Sequence, residues 1–191
     1  KVPVSPETTG NQQMSDIPWT PPGPAPTTPE ALLARLTALG IETENHTHPP
    51  LFTVEDSKAL RGDLPGGHCK NLFLKDKKQQ LWLVVTLEDR PIRMKALEGV
   101  IGAARLSFGK PDLLWDVLGV IPGSVTPFAL INDTDLRVRP VIDAGMLEHS
   151  PLNYHPLTNE MTSAIRPDDL LTFIRACGHV PIIEDLSGCG G

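Results

Sequence analysis

Two apolar runs, residues 69–75 and 81–87, stand on either side of the short polar segment "DKKQQ". Runs of this length joined by a short polar turn read as the two strands of a hairpin, so the fold must contain a sheet. The first strand is preceded by "GGHCK", which puts Lys70 at its head. A lysine there has two readings. It is an exposed side chain at a strand edge, the more frequent fate of a lysine, or it points into a pocket and holds an anionic or strongly polar substrate.

The rest of the chain alternates helical and extended signals. Thr28 as N-cap, Pro29 at the first helical position, apolar Leu32, Leu33, Leu36 and Leu39, and then Gly40 predict a helix of about three turns. "IETENHTH" alternates as a half-exposed strand does. In "PLFTVEDSKAL", Thr53 is placed to cap a helix with Glu55 and Asp56 in its first turn. Beyond the hairpin come a helix opened by Pro91, a short strand at "ARLSFG", and a helix from Pro111 to Gly119. "VIPGSVTPFALIND" is expected to break into a Gly/Pro loop and re-enter a strand. "DLRVRPVID" is a strand, "AGMLEH" a helical turn, and "PLNYHPLTNEMTSAI" strand, turn, strand. "RPDDLLTFIRACG" is a helix and "HVPIIED" a final strand. Helices interspersed among short strands give an α/β class with a mixed sheet in one domain.

Residues 1–27, rich in Pro, Thr and Gln, lack any helical or strand period and read as a disordered tail. Within it, residues 1–13 read as an appended remnant ahead of an initiator Met14. The domain is expected over 28–186, with 187–191 as a C-terminal tail. No apolar run approaches the roughly 20 residues that span a bilayer, and no signal-peptide pattern is present, so a soluble cytoplasmic protein is expected. Cys69, Cys177 and Cys189 are too few and too scattered for a disulfide framework or a CxxC zinc site. Cys69 reads as a packed cysteine rather than a reactive thiol.

Net charge is −6, but unevenly spread. Residues 58–110 hold eleven Lys or Arg against five Asp or Glu. A basic middle in an acidic chain permits a local phosphate-binding face, with Arg61, Lys75, Lys77, Lys78 and Arg93 as candidates. The same "KDKK" also describes a solvated hairpin turn.

Three stretches join flexible backbone to reactive side chains: "GGHCKN" with Lys70 and Asn71, "PGSVTP" at 122–127, and "NYHPLTNE" with His155. Gly123 admits positive φ, and a loop so built aims consecutive N–H groups at one point, as an oxyanion needs. Taken alone, a Gly/Pro loop is a turn and His155 a hydrogen-bonded core histidine. His46 and His48 lack a third ligand at a familiar spacing, so no metal is expected. No GxSxG elbow, Walker loop or GxGxxG is present. Physical reading alone stops at an α/β domain with a Lys/His/Gly-loop pocket.

"HPPLFTVEDS", "GGHCKNLFLKD", "LEGVIGAARLSF", "LGVIPGSVTPFAL" and "NYHPLTNEMTSAI", in this order and spacing, resemble the YbaK/ProX family of prolyl-tRNA editing proteins over residues 28–186. The nearest type is the family's free-standing deacylases. The resemblance implies a single α/β domain with a mixed, partly barrel-like sheet surrounded by helices. It also implies hydrolysis of the ester between an amino acid and the 3′-terminal adenosine of tRNA, without a cofactor. The family lysine falls on Lys70 with Asn71 beside it, the GxxxP loop on Gly123, Ser124, Val125, Thr126 and Pro127, and the late histidine on His155.

On that basis Lys70 holds polar oxygens of the tRNA 3′ end, and Asn71 orients the aminoacyl carbonyl or ribose. The amides of Gly123 and Ser124 stabilise the oxyanion, and His155 shapes the pocket. Leu51, Phe52, Val54 and His155 are expected to wall a pocket that admits alanine and excludes the proline ring. The expected substrate is tRNA(Pro) mischarged with alanine, with prolyl-tRNA synthetase as a further partner and no role for DNA or membranes. Rival readings are an editor of cysteine or serine esters, a non-catalytic aminoacyl-tRNA-binding module, and a small-molecule binding protein with no tRNA role.

Overall fold

The computed structural model describes residues 19–51, 56, 58–59 and 64–191. Phe52, Thr53, Val54, Glu55 and Arg61, with the expectations attached to them, lie outside the described residues.

Helix α1 (Pro29–Ala38) forms as its caps dictate. The Thr28 hydroxyl accepts from the Ala31 amide at 3.1 Å, and Leu32 and Leu36 on one face are buried. There follow β1 (Glu44–Thr47), the hairpin β2 (Gly67–Asp76) and β3 (Leu81–Leu87), α2 (Met94–Ile101), β4 (Leu106–Phe108) and α3 (Pro111–Leu118). After a 3-10 helix at Pro127–Asn132 come β5 (Val138–Asp143), β6 (Leu152–Tyr154), β7 (Met161–Ile165), α4 (Pro167–Ala176) and β8 (Ile182–Glu184). A short 3-10 turn at Met146–Glu148 links β5 to β6.

The strands make one mixed, eight-stranded sheet in the order β1-β7-β6-β2-β3-β5-β8, with β4 paired to β2 off that path. The β2–β3 hairpin is antiparallel, whereas β2–β6, β3–β5 and β5–β8 are parallel. Helices cover both faces, as strand periodicity requires. Leu81, Leu83 and Val85 pack on one face with α1, α3 and α4 residues such as Leu36, Leu118 and Phe173. Trp82 and Val84 pack on the other with Leu97 of α2 and with Leu106.

The sheet is split at one place, and the split positions the site. Along one edge β2 pairs continuously with β3, from Cys69 to Lys75. Its other edge meets β6 only at Gly67 and His68 and β4 only from Leu74 to Asp76. Gly66, at φ +101, has the Pro151 carbonyl where a side chain would begin, and the Gly67 amide donates to that carbonyl at 2.8 Å. The glycine pair before Lys70 is therefore what lets β6 approach β2.

The polar turn is a structural device. Asp76 is buried, and its carboxylate accepts from the Lys78, Gln80 and Ala104 amides and the Trp82 indole. Burial opposes its ionisation, but these bonds together hold its carboxyl below the usual range.

Two segments differ from the sequence expectation. The helix expected to open at Pro91 begins at Met94, because Pro91 packs under Gly190 and the Arg93 amide donates to the Cys189 carbonyl at 2.8 Å. "PFALIN" is a 3-10 helix rather than a strand: Pro127 supplies its first turn and the Thr126 hydroxyl accepts from the Phe128 amide. Residues 19–27 and 187–190 make defined contacts with the domain. The Trp19 indole donates to Asp112 at 2.7 Å beside Trp115, and Thr27 donates to Asn132 at 2.6 Å. Ser187–Gly190 forms a 3-10 turn that buries Cys189.

Candidate active site

The open edge of β2 lies beside a cavity of about 290 Å³. Its lining comes from several separate parts of the chain. Lys70 and Asn71 enter from β2, Gly123 and Val125 from the loop before the 3-10 helix, and Tyr154 and His155 from the end of β6. Thr162 of β7 and Leu51 complete the opposite wall, with His68, Cys69, Glu88 and Asn153 also in contact with the space.

Neighbouring residues on a strand point to opposite faces, and Lys70 and Asn71 use that to reach different supports. The Lys70 ammonium donates to the carbonyl of Arg90. Arg90 is itself fixed by an ion pair to fully buried Asp143 at 3.0 Å, and the Thr86 hydroxyl donates to the same carboxylate at 2.6 Å. Among the described residues Lys70 forms no ion pair, and it lines the cavity together with Glu88. Asn71 reaches the loop instead: its amide donates to the Val125 carbonyl at 3.0 Å, leaving its side-chain oxygen buried without a partner.

That tether shapes the loop. Gly123 adopts φ +89, with open space where a side chain would be. The amides of Gly123 and Val125 donate to no group among the described residues. The Ser124 amide behaves differently from its expected role: it closes a turn onto the Ile121 carbonyl at 3.0 Å. Ser124 is buried facing away from this cavity, toward a cleft shared with Trp115 and Leu157. Gly123 and Val125 are thus the loop residues that line the cavity with amides left unpartnered among the described residues.

His155 sits with Nδ1 3.0 Å from the Met161 carbonyl, an acceptor, so that nitrogen carries the hydrogen and Nε2 the lone pair. Burial pushes its pKa down, the hydrogen bond to Met161 partly opposes this, and His48 adds to the lowering. The imidazole is neutral at physiological pH. Its ring meets that of His48 edge-on, 6.2 Å between centroids. Cys69 is no nucleophile: burial pushes its thiol up to about 11, which leaves almost no thiolate near neutrality. No group of three or more His, Cys, Asp or Glu among the described residues is placed to hold a metal ion.

The candidate nucleic-acid contacts are scattered. Lys77 and Lys78 are exposed at the hairpin turn and Lys75 is half-buried beside it. Lys77 lies seven residues beyond Lys70, roughly 20 Å along the strand. Arg93, exposed, caps α2 three residues after Arg90 and so lies nearer the cavity's Arg90 support. Sequence reasoning passed over His48 as a cavity support and over Thr162, His68, Glu88, Asn153 and Tyr154. Strand alternation in "MTSAI" was the one signal for Thr162, and it does not say which face bears a site.

The site is thus a mixed α/β sheet opened at one edge over a cavity that Lys70, His155 and the Gly123 loop share. The chain belongs to the aminoacyl-tRNA editing domain family, whose model matches residues 48–173. A Bos taurus protein named prolyl-tRNA synthetase associated domain-containing protein 1 is 43% identical over 158 residues, covering 80% of this chain and 92% of that one. Prolyl-tRNA editing protein ProX of Acetoanaerobium sticklandii is 33% identical over 151 residues, covering 78% of this chain and 92% of that one. The fold is shared with a solved candidate trans-editing enzyme for prolyl tRNA synthetase, at TM-score 0.63 and 15% identity, over 82% of this chain and 96% of that one. Among the described residues no helix is long and apolar enough to cross a membrane.

Proposed function

We propose that this chain is a trans-editing deacylase that hydrolyses the ester of Ala-tRNA(Pro) and spares Pro-tRNA(Pro). The observation that carries the reading is the meeting, in one small cavity, of the Lys70 ammonium with the loop residues Gly123 and Val125, whose amides have no partner among the described residues. Lys70 binds polar oxygens of the 3′-terminal adenosine. The two amides receive the negative charge that grows on the ester oxygen as water attacks, and removing one such donor costs about 100- to 1000-fold in rate. Asn71 holds the loop at the distance this requires. No side chain of the described site is an activated nucleophile, and the substrate's own 2′-hydroxyl serves to activate water. The protein positions and polarises.

The selectivity follows from pocket energetics. A synthetase site built for proline rejects alanine weakly, because missing methylenes are worth only about 1–3 kcal/mol. A second, smaller cavity supplies the missing discrimination, with Leu51 and His155 among its walls. Arg93 and the hairpin lysines are candidates for acceptor-stem contact. Prolyl-tRNA synthetase, which produces the mischarged substrate in the cytoplasm, is the expected partner.

The test is a deacylation time course on Ala-tRNA(Pro), Cys-tRNA(Pro), Ser-tRNA(Pro), Pro-tRNA(Pro) and Ala-tRNA(Ala), with Lys70→Ala alongside. Loss of alanine from tRNA(Pro), slowed about 100-fold by the substitution, is expected. Faster loss of cysteine or serine reassigns the amino acid. Survival of every ester, with tRNA retarded on a gel, makes the chain a binding module.

A further inference from the structure

We propose that Thr162, held by His48, is the acceptor that reads the free α-ammonium of the aminoacyl ester. The inference rests on the editing reading but does not require that the ester be cleaved.

The hydrogen-bond polarity of the site leads to it. His48 is nearly buried and has both ring nitrogens engaged, Nδ1 at 2.8 Å from the Pro49 carbonyl and Nε2 at 2.9 Å from the Thr162 hydroxyl. A carbonyl only accepts, so Nδ1 carries a hydrogen, and in the Nδ1–H tautomer Nε2 is an acceptor. The Thr162 hydroxyl must then spend its one hydrogen on His48. Its remaining lone pairs are left for the cavity, of which Thr162 is a lining residue. His155 behaves alike, with Nδ1 spent on the Met161 carbonyl and Nε2 left as an acceptor. Two acceptors, Thr162 and His155, therefore line a space that is also lined by Lys70, Gly123 and Val125 as donors, with the Glu88 carboxylate and the Asn71 side-chain oxygen as further acceptors at the same cavity.

An aminoacyl ester has the complementary polarity. Its carbonyl oxygen accepts, and its α-ammonium, one carbon away, only donates. With the carbonyl at the loop amides, the ammonium belongs at the acceptor wall. An N-acylated aminoacyl group loses the charge and all but one of the hydrogens, and adds bulk at the same place. His48 is a positioning residue in this scheme: it fixes which way the Thr162 hydroxyl points and touches no substrate itself.

The test uses non-hydrolysable amide analogues, 3′-alanylamido-3′-deoxyadenosine and its N-acetyl form, titrated calorimetrically into the intact chain and into Thr162→Val and Thr162→Ser. Unmodified protein is expected to prefer the free amine by about tenfold to a hundredfold, the worth of a hydrogen bond to a charged group. Thr162→Val should bring that preference near unity while leaving affinity for the acetylated analogue unchanged, and Thr162→Ser should keep it. A merely structural role for Thr162 would weaken both analogues together, and thermal melts of each variant check the fold. No preference in the unmodified protein, an undiminished preference in Thr162→Val, or no saturable binding of either analogue overturns the inference. An intact preference in a protein that leaves every ester uncleaved would sink the editing reading alone.

Discussion

Asn71 joins two parts of the site that have no other reason to stay in register, its strand and the loop that carries Gly123 and Val125. Asn71→Asp replaces the donor with a carboxylate facing the Val125 carbonyl, and deacylation of Ala-tRNA(Pro) should fall at least about 100-fold through displacement of the loop. A second residue-scale prediction concerns Asp133, far from the cavity. His179 donates to its carboxylate at 2.8 Å, and the Val138 and Arg137 amides at 2.9 and 3.0 Å. Burial opposes ionisation of Asp133, and these bonds outweigh it, holding the carboxyl below its ordinary value. A carboxyl depressed in the folded state contributes stability that is present above its unfolded pKa, about 3.9, and lost as pH falls through the folded value. Melting temperature should therefore drop below about pH 4 in the natural chain, with a smaller Asp133 contribution to that drop in Asp133→Asn. At neutral pH that variant should lose about 1–3 kcal/mol in a denaturant titration, since the substitution disrupts the hydrogen bonds of a buried carboxylate. Lys70, Asn71, Gly123 and His155 were legible in the sequence because each stands in a short motif whose backbone is marked by Gly or Pro. Nothing in "PGSVTP" tells that the Ser124 amide closes back on the Ile121 carbonyl. Thr162 was invisible for another reason: the histidine that orients it is 114 residues away.

At the scale of elements, the caps carried the reading. Thr28 and Pro29 open α1 as their chemistry requires, and Thr28→Ala should cost about 1 kcal/mol in a denaturant titration. Gly119 ends α3 in the left-handed region at φ +63, with Pro26 and Asn132 already where a side chain would start. Gly119→Ala should destabilise by about 2 kcal/mol or more from the backbone term alone, and should also push the 19–27 segment off the helix. Separation of Trp19 from Trp115, read by tryptophan fluorescence, reports the second effect. The misread elements are those whose ends are decided from elsewhere in the chain. Pro91 has the right residue type to open a helix, but it supports the C-terminal turn, so α2 waits for Met94. "PFALIN" has strand-like composition, and its Thr-Pro entry, the local clue to a helical turn, competes with four apolar residues that favour either state.

For the whole molecule, the uneven charge means less than its sequence pattern suggests. The hairpin lysines are displaced along β2 from the cavity, and the turn between them is organised by Asp76 for structural reasons. Lys77→Ala with Lys78→Ala should leave hydrolysis of a minimal aminoacyl-adenosine substrate unchanged. On full tRNA, any effect should appear as a shallower salt dependence of binding, by about one unit of slope for each phosphate no longer neutralised. The mixed order of the sheet was beyond sequence reading, since parallel pairings such as β2 with β6 join segments about 85 residues apart and leave no local mark. That same pairing has a consequence during synthesis. A ribosome that has released β2 and the Gly123 loop has made the donors of the site, but the acceptor wall is still unmade until β6 and β7 emerge and dock. On the proposed function, editing capacity would therefore arrive late and all at once: a nascent or truncated chain ending before Leu152 would hold a hairpin and still discriminate nothing.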